Sequence, residues 1–166
     1  MDSSITGIEK KLNKEISFIL TEEEKNRGSK SARTTISYND FLSNKMLMIQ
    51  VIRKGVPYSL FHLIQSYTPF TEEDWAAFLD ISTKSLQRYR SASKVFRPIQ
   101  SEKIIELAEV TKVGMDVFGD LEKFRLWLET PNYALGSLKP VELLKDSYGK
   151  EMVLGELVRI NYGIFA

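Results

Sequence analysis

The chain has 166 residues, 43% of them hydrophobic and 27% charged, with a formal net charge of +1. That length suits one compact domain or two small ones sharing a core, and no run approaches the roughly 20 apolar residues that span a bilayer. Cysteine is absent, which excludes a disulfide framework, thiolate chemistry and a zinc site built on thiolates.

Met1-Asp2-Ser3-Ser4 carries no basic run and no apolar core follows. No signal peptide is therefore expected, and the expected location is cytoplasmic, away from membranes. Charge is unevenly spread. Residues 81–101 contain Lys84, Arg88, Arg90, Lys94 and Arg97 and no acid, whereas residues 102–166 hold eleven acids against eight bases. A cationic segment on a near-neutral chain predicts one anion-facing surface.

Ile5, Ile8, Leu12, Ile16 and Ile19 recur at three- and four-residue steps, the spacing of one helix face. The stripe is narrow and suits either a helix docked on its own domain or an arm pairing two subunits. After Leu20 the chain turns polar, and Thr21–Thr35 reads as a linker or mobile loop. A helix is predicted from Asn39 or Ser43 through Phe41, Leu42, Met46, Leu47, Ile49, Val51 and Ile52, ending near Gly55. Gly55-Val56-Pro57 is a break. Ser59 then precedes a short helix with Leu60, Phe61, Leu63 and Ile64. The single histidine, His62, lies in that run and reads as a packed or surface residue without a metal-binding partner.

The next block has the outline of a helix-turn-helix. Thr71-Glu72-Glu73-Asp74 is a capping box, and Trp75, Phe78 and Leu79 supply an apolar face. Asp80-Ile81-Ser82 is expected to turn tightly with Ile81 as a buried plug. Ser82 or Thr83 then caps a second helix whose Leu86 and Tyr89 face inward. Lys84, Ser85, Gln87, Arg88, Arg90 and Lys94 are the candidate DNA contacts. Arginine reads guanine, glutamine reads adenine, and flanking cations neutralise phosphates.

Pro98 is read as closing this segment, with a helix starting at Ser101-Glu102 and carrying Ile104, Ile105, Leu107, Ala108, Val110, Val113, Val117 and Phe118. Gly119 fits a stop. Asp120 or Leu121 restarts the chain through Phe124, Trp127 and Leu128 to Pro131-Asn132. Pro140 opens a short helix, and Gly149 precedes the last one, with Val153, Leu154, Leu157, Val158 and Ile160. Gly163 can cap it in a left-handed conformation. No strand or hairpin signal is found, so the chain reads as all-α.

The joint spacing of Phe118-Gly119, Trp127-Leu128, Pro131-Asn132, Leu135-Gly136, Pro140, Leu143-Leu144, Gly149 and Arg159-Ile160-Asn161-Tyr162-Gly163 resembles the toxin-binding domain of the Xre/MbcA/ParS antitoxins. These are the antidote half of bacterial toxin–antitoxin pairs. Ser85-Leu86-Gln87-Arg88 is similar to the Thr-Leu-Gln-Arg-like stretch common in the family's divergent Xre-type helix-turn-helix. The resemblance covers roughly residues 41–166. It departs from the family at Ser137, where Leu-Gly-Gly is often found, and at Asn161, where an acid is usual. Residues 1–40 match no family by eye.

Periodicity and composition give an amphipathic arm and polar linker over 1–40, and the resemblance implies a DNA-binding helix-turn-helix domain over 41–112 and a toxin-binding domain over 113–166. It also implies that Arg159, Tyr162, Gly163, Ile164, Phe165 and Ala166 grip or plug the toxin. In this family the toxin is commonly of the RES type, which resembles ADP-ribosyltransferases and consumes NAD. A homodimer on palindromic operator DNA would follow from two-fold symmetry.

The alternatives are a stand-alone transcriptional regulator and a protein-binding adaptor that has lost DNA binding. No cofactor is implied. The glycines are isolated, and neither a nucleophile–histidine–acid set nor a metal cluster is evident, so enzymatic activity is not expected.

Overall fold

A computed structural model describes residues 3–28 and 35–163, with side chains from residue 7 onward. The described residues form ten α-helices and a short 3-10 turn. No strand is present among them, only two isolated bridges, so the chain is all-α as the periodicity predicts. Two compact units emerge. Unit 1 takes Met1–Tyr67 with Tyr89–Ile105, and unit 2 takes Thr68–Arg88 with Glu106–Ala166. Among the described residues, no helix is long and apolar enough to cross a membrane.

In unit 1, α1 (Ser3–Asn26) packs on α2 (Tyr38–Ser43) and α4 (Tyr58–Ser66). Leu12, Ile16 and Ile19 of the stripe are buried, as is Leu20, and Ile8 is half-buried, so this part of the stripe docks on the chain's own unit. Polar bonds fix the seating. Tyr67 donates its hydroxyl to Glu9 at 2.8 Å, and the Tyr38 amide donates to the Asn13 side-chain oxygen at 2.6 Å. Burial, with nearby Tyr67 adding to it, pushes the Tyr38 phenol well above its ordinary range, so it stays neutral. The expected linker begins later than the polar composition suggests, because α1 runs on through Glu22, Glu23 and Glu24 to Asn26.

The single helix expected before Gly55 is two. Ser37 and Asp40 form a capping box that starts α2, ahead of the predicted Asn39 or Ser43. Asn44 ends α2 and caps α3 (Lys45–Lys54), its side-chain oxygen accepting from the amides of Met46 and Leu47. Gly55 follows at φ 97°, where a Cβ would strike the Phe96 carbonyl. The helix expected to start at Ser101-Glu102 begins earlier, at Pro98. The proline sits at the first position of α7 (Pro98–Phe118), where its missing N–H costs nothing.

In unit 2, α5 (Glu72–Phe78) carries Trp75 and Phe78, which meet Phe70 edge-on at centroid distances of 5.8 and 5.2 Å. Later in the chain, α8 (Leu121–Glu129) presents Phe124 against Gly114 of α7, where a Cβ would overlap the ring. Phe118, Phe124 and Trp127 form an aromatic group around that contact. The 3-10 turn (Tyr133–Leu135) leads to α9 (Pro140–Leu143) and α10 (Ser147–Asn161). Gly149 was expected before the last helix and lies inside its first turn. Its α-carbon passes so close to the Leu143 carbonyl that no side chain fits.

Gly136 and Ser137 follow the 3-10 turn, both left-handed at φ 70° and 62°. Ser137 stands where the resembled family often has a second glycine, and its Cβ makes that conformation costly. Ser137→Gly should therefore stabilise the chain by about 1 kcal/mol, whereas Gly149→Ala should destabilise it by about 2 kcal/mol through overpacking. Urea unfolding of both variants checks the opposite signs.

Candidate functional site

Two surfaces carry the candidate residues. The first is built on α6 (Thr83–Ser91), reached from α5 through a four-residue turn. Thr71 and Asp74 form the expected capping box on α5: the Asp74 amide donates to Thr71 Oγ1 at 3.1 Å, and the Thr71 amide donates to Asp74 at 2.9 Å. Asp80 turns the chain at φ 52°. Ile81 is only half-buried, not the expected plug, because the turn points it outward while Leu79 fills the interior at 3% exposure. The Ser82 hydroxyl accepts the Ser85 amide at 3.0 Å and so starts α6.

Along α6 the inner and outer faces separate as expected. Leu86 is buried, and Tyr89 stacks on Phe96 at 4.4 Å with an interplanar angle of 7°. Lys84, Gln87, Arg88 and Arg90 are exposed. At 3.6 residues per turn, Lys84, Gln87 and Arg88 fall within about 100° of arc, with Arg90 off that face. Ser85 is different. It is half-buried, and its hydroxyl oxygen accepts from Ser82 at 3.0 Å, so it serves the helix start. Gln87 donates from its amide to Glu72 at 3.4 Å, which restrains one side of its head group. Lys94 is exposed beyond the helix, its ammonium 5.8 Å from the Tyr89 ring centroid. This face offers flexible cations and one amide to an anionic, hydrogen-bonding partner.

The second surface is the outer face of α10. Val153 and Leu157 are buried on one side. On the other, Tyr148, Met152, Gly155, Arg159 and Tyr162 fall within about 80° of arc. Tyr148 is 84% exposed and Tyr162 76% exposed. Arg159 pairs with Glu156 at 3.4 Å and remains part-exposed. The Tyr162 amide donates to the Val158 carbonyl at 3.1 Å and the Gly163 amide to the Ile160 carbonyl at 2.9 Å. Gly163 takes φ 69°, the left-handed stop expected from the sequence. Ile164, Phe165 and Ala166, the other candidate contacts, lie outside the described residues.

Sequence reasoning missed Tyr148, Met152 and Gly155. The spacing was there to find, since they lie 14, 10 and 7 residues before Tyr162 on a helical repeat. An added Cβ at Gly155 meets nothing within 4 Å, so no packing among the described residues calls for a glycine mid-helix. An exposed aromatic and methionine stripe around a bare stretch of backbone suits close approach by a partner protein. Among the described residues, no group of three or more histidines and carboxylates could hold a metal.

Residues 47–109 match the family described as the antitoxin Xre-like helix-turn-helix domain, and residues 114–163 match the antitoxin Xre/MbcA/ParS C-terminal toxin-binding domain. Antitoxin Xre of Photorhabdus laumondii is 27% identical over 115 residues, covering 69% of this chain and 78% of that protein. Antitoxin Xre of Yersinia enterocolitica is 26% identical over 125 residues, covering 75% and 84%. Among solved structures, the M. tuberculosis MbcT–MbcA toxin–antitoxin complex includes a chain with 26% identity and a TM-score of 0.49. That match covers 58% of this chain and 86% of that one.

Gly155→Ala should raise the stability of the isolated chain by roughly 0.8–1 kcal/mol through helix propensity alone. Thermal unfolding of the pure protein checks this, and a loss of stability would mean that the glycine serves the fold.

Proposed function

Because this chain belongs to the Xre/MbcA/ParS family of antitoxins, we propose that it blocks a RES-type, NAD-consuming toxin and represses its own operon through the α5–α6 helix-turn-helix. The observation that carries the reading is the pairing of two matched segments on one chain, a helix-turn-helix over 47–109 and a toxin-binding domain over 114–163. The exposed faces described above give each segment a surface of fitting chemistry.

In this reading the toxin seats on Tyr148, Met152, Gly155, Arg159 and Tyr162. Large amphipathic side chains supply contact area there, and the bare helix backbone at Gly155 admits close packing. Gly163 turns the chain off α10, and Ile164–Ala166 cover the toxin's NAD pocket. Inhibition is then steric and needs no cofactor. On the other surface Arg88 and Gln87 read base edges while Lys84, Arg90 and Lys94 contact phosphates. A homodimer would place two such helices on a palindromic operator. The protein is assigned no reaction of its own.

The deciding experiment expresses the open reading frame beside this gene with and without the chain, following growth and cellular NAD. Arrest with NAD loss, rescued by the chain, supports the full reading. Arrest and rescue at normal NAD keeps the antitoxin and replaces the target. A harmless neighbour favours a stand-alone regulator.

Two variants localise the surfaces. Arg88→Ala should weaken operator binding by about 1–3 kcal/mol in a fluorescence anisotropy titration, and an unchanged affinity would move base reading elsewhere. Deleting Ile164–Ala166 should abolish neutralisation and spare DNA binding. Intact protection would remove the plug from the mechanism.

A further inference from the structure

Parts of two basic stretches that are distant in sequence meet at residues 56–58 and 94–96 in unit 1. Residues 41–71 contain Lys45, Arg53 and Lys54 and no acid, and residues 81–101 contain five cations and no acid. Pro57 faces Val95 in an isolated antiparallel bridge. The Tyr58 amide donates to the Lys94 carbonyl at 3.1 Å, and the Phe96 amide donates to the Val56 carbonyl at 2.9 Å. This register sets Lys94 across from Tyr58 and Arg97 across from Gly55, which follows Arg53 and Lys54 in the chain. Gly55 makes the approach possible, since a Cβ there would strike the Phe96 carbonyl and the Val95 side chain. Arg53, Lys54, Lys94 and Arg97 are all exposed.

We propose that this paired edge, Arg53 and Lys54 with Lys94 and Arg97, is a sequence-independent contact for the DNA phosphate backbone. The proposal rests on the DNA-binding reading of α6, which already gives Lys94 a phosphate, and extends it beyond α5 and α6 to Arg53, Lys54 and Arg97. Arg53 and Lys54 occupy the last turn of α3, where cations also favour the helix end. Lys94 and Arg97 belong to no helix, so that account does not reach them.

One acid lies close. Glu23 stands 4.0 Å from Lys54 and offsets part of its charge. Arg53 and Lys54 also line, with Arg27, Asn26, Gln50 and Glu23, a cleft of about 340 Å³, which carries net positive charge. A small anion would call for convergent, enclosed donors. Exposed, flexible cations in a row instead suit a phosphate chain, where binding gains from counterion release.

The test uses the full chain and its Arg53→Gln/Arg97→Gln double variant. Affinity for the operator duplex and for a scrambled duplex is measured between about 50 and 200 mM salt, the range over which counterion release changes affinity steeply. The double variant should flatten the log–log salt slope by about 2, losing roughly 0.9 per contact. It should weaken both duplexes alike and leave their affinity ratio unchanged. Arg97→Gln alone should give about half the slope change, and unchanged unfolding midpoints exclude misfolding as the cause.

An unchanged slope, or a loss confined to the operator, overturns the proposal. So does weaker toxin neutralisation with DNA affinity intact, which would assign the edge to a protein partner. If Arg88→Ala shifts the ratio while the double variant leaves the slope alone, only the phosphate edge fails. If the wild-type chain binds neither duplex, the DNA reading fails as well.

Discussion

The hydrogen bond from the Val56 amide to the wholly buried Ser101 hydroxyl, 2.8 Å long, is the constraint on which unit 1 depends. The Ser101 hydroxyl in turn donates to the Phe96 carbonyl at 3.2 Å, and the Phe96 amide donates to the Val56 carbonyl. These three bonds tie the break between α3 and α4 to the chain leaving α6 and to the first turn of α7. A buried amide left without its partner costs about 1–3 kcal/mol, so each member holds the others in register. Phe96 sits at the centre, 4.4 Å from the Tyr89 ring and 5.0 Å from Phe61. The end of the basic helix is thereby anchored by its inward tyrosine, which leaves its outward cations unconstrained.

The two candidate surfaces divide the chemistry of the chain between them. Cations without acids gather on 81–101, and the net-negative stretch after Glu102 carries the aromatic and methionine face of α10. Like charges would keep that second region off nucleic acid, and an apolar stripe has little to offer a phosphate. In the proposed reading, segregated charge would let one chain address a polyanion and a protein without one surface competing for the other's partner.

Local signals were legible in the sequence because their causes are local. The Thr71–Asp74 box, the left-handed Gly163 and the inward pair Leu86 and Tyr89 each depend on residues within one or two helical turns. Errors came where a residue has two local meanings and distant packing chooses. Pro98 suits a helix stop or a first turn, and the Ser101 knot selects the first turn. Asn44 reads as helix interior until its side chain caps the following amides. Glu22, Glu23 and Glu24 look like linker, yet α1 continues because Ile19 and Leu20 beneath them are buried. Of the candidate contacts, the placements of Arg88, Gln87 and Tyr162 followed from spacing. Ser85's role in the helix start and the register that sets Arg97 across from Gly55 did not, since neither follows from a periodic pattern.

The units are interleaved along the chain, which passes between them at Thr68, Tyr89 and Glu106. Order of synthesis and order of closure therefore differ. When Tyr67 leaves the ribosome, neither Phe96 nor Ser101 has emerged, and Val56, Leu60 and Phe61 have no lid. Unit 1 must wait through Thr68–Arg88 for its closing segment, while unit 2 receives its first helix before the rest of its core exists. A nascent chain that stalls before Ile105 thus carries two incomplete cores at once, so truncated products should be recognised by chaperones and proteases as unfolded rather than persist as half-active fragments.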